Sequence, residues 1–171
     1  VTSGWGTADM GGEWTTFTGN AAMSVSGGAG RIEVAGAGGS AAGYLGSVTA
    51  GDVAMQVDVS LDDAFAGGST WVYLTSRWTG QTYYRAVVRF VLDGSVSLGF
   101  SRVVNGVETT IQSVNLPDIT YTPGTVLRVR FDTSGTDVTT LQAKAWVVGT
   151  AQPADWQVVA TDTTTLFPST T

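Results

Sequence analysis

The sequence predicts an all-β fold, an antiparallel two-sheet β-sandwich. Three observations lead there. Short runs of alternating apolar and polar residues recur roughly every 8 to 15 residues with turn chemistry between them. No segment of useful length repeats with the 3.6-residue period of a helix. The composition combines 23 glycines with only 13% charged residues, which suits many strands joined by tight turns.

The elements follow in chain order. Residues 1–20 hold Trp5 and Trp14 among turn residues and glycines, which forbid a helix and predict a folded-over loop and a short strand, the indoles capping one end of the core. Ala21–Ser26 reads as a strand, Gly27–Gly30 as a turn, Arg31–Ala35 as a strand, and Ala41–Val48 as another. The glycine clusters are not phosphate cradles, because no helix opens after them. Asp52–Leu61 alternates most cleanly, with Val53, Met55, Val57, Val59 and Leu61 on one side. In the following loop, Asp62-Asp63 could hold calcium, but the spacing does not match a calcium loop, so solvated turn residues are the preferred reading.

Ser69–Leu92 carries the strongest strand signal. Two runs rich in Trp, Tyr, Val and Leu flank Thr79-Gly80-Gln81-Thr82, the composition of a hairpin. In the second run Tyr84, Ala86, Val88, Phe90 and Leu92 share one parity and Tyr83, Arg85, Val87 and Arg89 the other, so the pleat sends the two sets to opposite faces. Val72, Leu74 and Trp78 join the core side, leaving Trp71, Tyr73 and Arg77 beside Tyr83, Arg85 and Arg89.

Asp93-Gly94 and Asn105-Gly106 then mark turns around the strands Ser95–Val103 and Val107–Val114. Asn115–Asp118 breaks the pattern. Thr125–Asp132 turns Leu127, Val129 and Phe131 inward and Arg128 and Arg130 outward; Leu141–Val148 opposes Leu141, Ala143, Ala145 and Val147 to Gln142, Lys144 and Trp146. A strand at Gln157–Thr161 precedes a Thr-rich tail, residues 162–171, expected to be poorly ordered.

Length and composition bound the function. At 171 residues the default is a single domain over 1–171, and 43% apolar residues exclude disorder through charge. No apolar run approaches the roughly 20 residues of a membrane span, so no membrane insertion is expected. The first residues show no charged start followed by an apolar stretch, so for an exported protein the signal is expected outside this sequence. The net charge is −6, with one lysine, Lys144, and the other basic residues all Arg, which argues against nucleic acid as a partner. His and Cys are absent, removing imidazole bases, thiol nucleophiles and the common zinc sites. No metal or cofactor is expected.

The candidate ligand-binding residues are Trp71, Tyr73, Arg77, Tyr83, Arg85, Arg89 and Trp146. Aromatic rings stack on the C–H faces of a pyranose while Arg forks bind its hydroxyls or carboxylates. The same neighbours on a sheet also pack simply on one another, and that reading stays open beside the first. Gln56, Asp58, Arg128, Arg130 and Lys144 are expected to point outward too, which would gather most of the cations on one surface. An enzyme is not expected: glycoside hydrolysis needs a pair of carboxylates, and only Asp58 and Glu108 fall near the candidate face.

The segments GWGTADMGGEW (Gly4–Trp14), Tyr83-Tyr84-Arg85, TPGTVLRVRF (residues 122–131) and LQAKAWVVGTAQPADWQ (Leu141–Gln157) together resemble a concanavalin A-like, laminin G-like jelly-roll module of secreted actinobacterial proteins and of the minor tail proteins of their phages. The resemblance covers nearly the whole chain. It implies sugar binding, adhesion or assembly, a secreted or virion setting, and as partner a polysaccharide or cell-surface glycan or other virion or surface protein chains. Such modules begin with a strand carrying Asp-x-Phe and close with further strands pairing to it. Their lack here leads us to expect an open sheet edge and a place in a larger polypeptide or assembly.

Overall fold

A computed structural model describes residues 2–18, 21–62 and 68–164, and its regular elements there are all β-strands. In chain order they are β1 (Thr2–Ser3), β2 (Trp14–Thr18), β3 (Ala21–Ser26), β4 (Ala29–Val34), β5 (Ala41–Leu45), β6 (Val53–Val59), β7 (Thr70–Ser76), β8 (Tyr83–Phe90), β9 (Ser95–Val104), β10 (Val107–Thr120), β11 (Leu127–Ser134), β12 (Thr139–Val147) and β13 (Val158–Asp162). The sequence reading placed the whole chain in one domain. The chain divides into two compact units, Val1–Thr49 and Ala50–Thr171.

In the first unit β1, β3 and β4 form one small sheet and β2 pairs with β5 in another. The β3–β4 hairpin turns on Gly27 and Gly28, with φ of 62° and 77°, which only glycine adopts freely; the strand therefore resumes at Ala29, earlier than expected. Trp5 and Trp14 meet edge to face with ring centres 5.2 Å apart. A Cβ at Gly43 would stand 2.8 Å from the Trp5 ring, so β5 needs glycine there for the indole to pack.

The second unit is a β-sandwich of two four-stranded antiparallel sheets, in the orders β10-β9-β8-β7 and β13-β12-β11-β6. The inward parity of each strand builds one core. Tyr84, Ala86, Val88, Phe90, Leu98 and Phe100 from the first sheet join Leu127, Val129, Phe131, Leu141, Ala143 and Ala145 from the second. Phe100 and Phe131 meet across the layers with ring centres 5.7 Å apart. Burying each large side chain stabilises the fold by roughly 1.5 to 3 kcal/mol, which is why period-2 patterning sufficed to set the layers.

Several expectations change in detail. Val57, expected inside, is 41% exposed, because β6 is an edge strand that pairs only with β11 among the described residues. The break expected at Asn115–Asp118 is a bulge inside β10: partners pass from Asn115↔Ser97 to Thr120↔Ser95, so extra residues are extruded and pairing resumes. Residues 162–164, expected in a poorly ordered tail, are held. Tyr84 Oη donates to Asp162 at 3.1 Å, Arg102 pairs with it at 2.8 Å, and Thr164 N–H and Oγ1 donate to it at 3.1 and 2.8 Å. Residues 165–171 lie outside the described residues, as do 63–67 of the Asp62-Asp63 loop.

Candidate functional site

The outer face of the β10-β9-β8-β7 sheet carries most of the candidate residues. The alternation of β7 and β8 puts Trp71 and Tyr73 beside Tyr83, Arg85 and Arg89 on the side away from the core. Trp71 stands directly opposite Arg89, and Arg85 lies opposite Ser101 on β9. Trp71 is 48% exposed and Tyr73 42%, so aromatic surface is offered to solvent.

Arg85 is the centre of this face. Its guanidinium carbon lies 4.4 Å from the Tyr73 ring centre and 4.8 Å from that of Tyr83. One terminal nitrogen donates to Tyr83 Oη at 2.9 Å and the other stands 3.3 Å from a Glu108 carboxylate oxygen. The second Glu108 oxygen accepts from Ser101 Oγ at 2.5 Å. The buried Nε of Arg85 has no hydrogen-bond partner among the described residues, a cost offset by the rings and charge around the group. Burial, then the Glu108 carboxylate, push the Tyr73 phenol above its ordinary value, so it stays a protonated donor. Arg89 lies 5.7 Å from the Trp71 ring centre and donates through Nε to Ser69 Oγ at 3.0 Å.

Arg77 does not belong to this face. The strand ends at Ser76, and Arg77 takes a left-handed φ of 51° that reverses the parity beyond it. Its side chain, only 4% exposed, donates to Gly51 O at 2.8 Å, Thr139 Oγ1 at 2.9 Å and Gly135 O at 2.6 Å, with Asp52 at 3.4 Å. Those partners flank β6, β11 and β12, so Arg77 ties one sheet to the other. The same reversal turns Trp78, expected in the core, outward to 43% exposure.

Trp146 lies on the outer face of the opposite sheet and is only 7% exposed. Asp58, Arg128, Arg130 and Lys144 share that second face, so the expected single gathering of cations is divided between two surfaces. There each cation has an internal partner. Arg128 donates to both Asp58 oxygens at 2.6 Å, which holds that carboxyl below its ordinary value, and Arg130 donates to Asp132 at 3.1 and 2.8 Å. Lys144, buried, donates to Pro153 O at 2.8 Å, and Trp156 lies over both Lys144 and Arg130 at 5.0 and 5.2 Å.

Sequence reasoning missed Ser69 and Ser101 and gave Glu108 only marginal standing. The Asn105-Gly106 turn was the available signal: a two-residue hairpin sets Glu108 opposite Val103, in the row next to Arg85. Two concavities among the described residues lie elsewhere, one beside the β10 bulge with Gln157 and one between Asp52, Ala54, Asp132 and Gln142. Small-molecule sites are concave, whereas an extended polymer can lie along a flat ridge of rings. No family model matches the chain, and neither a curated protein nor a solved structure matches it.

Proposed function

We propose that this chain is a non-catalytic glycan-binding or adhesion module of a secreted or phage tail protein, with its ligand on the outer face of the β7–β10 sheet. The observation that carries the reading is the exposure of Trp71 and Tyr73 on the same face as Arg85, Glu108 and Arg89. Rings supply stacking area for sugar C–H faces, and the Arg85–Glu108 pair offers fixed donors and acceptors for hydroxyls. The exposed rings suit a polysaccharide or cell-surface glycan. The role as a binder is supported by the engagement of Glu108 with Arg85 and Ser101, where glycoside hydrolysis by paired carboxylates needs an acid and a partner carboxylate across a cleft. Glycan-array binding that weakens about tenfold or more in Tyr83→Ala and Arg85→Ala, with an unchanged circular dichroism spectrum, is the expected result. An array without any glycan whose binding these substitutions weaken overturns the reading.

A second reading, a structural module that binds other virion or surface chains, is favoured by the sheet edges. β10 breaks its edge with a bulge and Pro117, whereas β6 and β7 run in unbroken register and have no further strand beside them among the described residues. Straight edges accept an added strand. Assembly into a particle with an interface above about 1,000 Å² would support it. A monomer that associates with no particle would contradict it.

A further inference from the structure

We infer that the glycan held on this face is anionic, a uronate-bearing polysaccharide whose carboxylate is taken by Arg89 while Trp71 carries the sugar ring. The inference rests on the glycan-binding reading and narrows it. Arg85 and Arg89 point the same way from β8, yet their charges are disposed differently. Arg85 has a carboxylate partner in Glu108 at 3.3 Å. Arg89 has none among the described residues: its Nε is engaged on Ser69 Oγ and its guanidinium lies over the Trp71 ring, but its terminal nitrogens have no hydrogen-bond or ion-pair partner there. Asp93 feels Arg89 only as the weakest of the influences that lower its pKa, the strongest being the hydrogen bonds from Ser95, whose N–H donates to it at 2.8 Å. Among the described residues the face thus keeps a cation with no ion-pair partner, in a chain of net charge −6.

The free edge of that guanidinium presents two parallel N–H donors, the geometry that a carboxylate accepts with both oxygens. Trp71 is the direct cross-strand partner of Arg89, so the exposed part of the indole and the free edge of the guanidinium are immediate neighbours. A uronate can therefore stack on the indole while its carboxylate meets the guanidinium. Hydroxyls of the adjoining residues would reach toward Tyr73, Tyr83 and Glu108. A neutral sugar would use the rings and leave the Arg89 terminal nitrogens to water.

The test compares polygalacturonate with its fully methyl-esterified form, one backbone with and without charge, by titration calorimetry on the whole chain. The expected result is about tenfold tighter binding of the acid form. Arg89→Gln is expected to abolish most of that difference by weakening the acid form several-fold more than the ester; Arg89→Lys, which keeps the charge without the fork, should restore part of it. Tyr83→Ala should weaken both polymers alike. Equal binding of acid and ester, or a loss in Arg89→Gln that is the same for both, overturns the inference while the glycan-binding reading stands. So does binding of neutral glycans with none to polygalacturonate, alginate or hyaluronan. Absence of binding to every glycan overturns both.

Discussion

The two outer faces of the sandwich use the same residue types to opposite ends. On the β11–β12 side, Arg128, Arg130 and Lys144 are each tied to a group of the protein itself, and Trp146 is buried. On the β7–β8 side, Trp71 and Tyr73 stay exposed, and Arg89 has no acid against it among the described residues. An inventory of outward Arg and aromatic residues would score the faces alike. On the proposed reading, what marks the recognition surface is its unspent interactions, which depend on whether a neighbouring strand or loop supplies a partner.

That comparison can be sharpened by loosening what the faces share. Tyr84 and Arg102, from β8 and β9, both bond to Asp162 on β13, joining the two sheets. Asp162→Asn should cost about 2 kcal/mol at neutral pH and lower the denaturation midpoint, because it removes charge-assisted hydrogen bonds from a buried group. Burial raises the Asp162 carboxyl, but hydrogen bonds from Thr164, Arg102 and Tyr84 outweigh it and hold the group below its ordinary value of 3.8. Its contribution is therefore present above that value and lost as pH falls through the lower folded pKa, so the gap between the native protein and the variant should narrow in acid. Burial first of all pushes the Tyr84 phenol from 10.0 to about 12, so stability should also fall as pH rises across that interval.

A smaller effect separates the faces directly. Trp156→Ala uncovers Lys144 and Arg130 and should cost about 1 to 2 kcal/mol through lost cation–π contact and packing, read by chemical denaturation. Glycan affinity should not change. A loss of affinity with this variant would move the site to the opposite sheet.

Much of this was legible in the residues. Period-2 alternation from Tyr83 to Phe90 decided which side chains face outward, and the structure keeps Trp71, Tyr73, Tyr83, Arg85 and Arg89 together. Parity failed where the strand did. Arg77 lies one residue beyond β7 in a left-handed conformation, and no residue pattern announces that turn for an arginine. Trp146 was placed correctly as outward from its own strand. Which sheet that strand joined, and that Trp146 and its neighbour Lys144 would be buried there, depended on long-range pairing and on the segment that returns through Pro153 and Trp156. Glu108 was missed as the partner of Arg85 because its register follows from the β9–β10 hairpin, two strands away from the aromatic run.

The indole N–H signals test the central claim most directly. The chain has six tryptophans, each of which gives one resolvable resonance in a nitrogen-15 labelled sample titrated with soluble uronate and neutral oligosaccharides. The account predicts that the Trp71 signal shifts with saturation while those of Trp146 and Trp156 stay in place. Saturable shifts at Trp146 or Trp156 with Trp71 unmoved would contradict it.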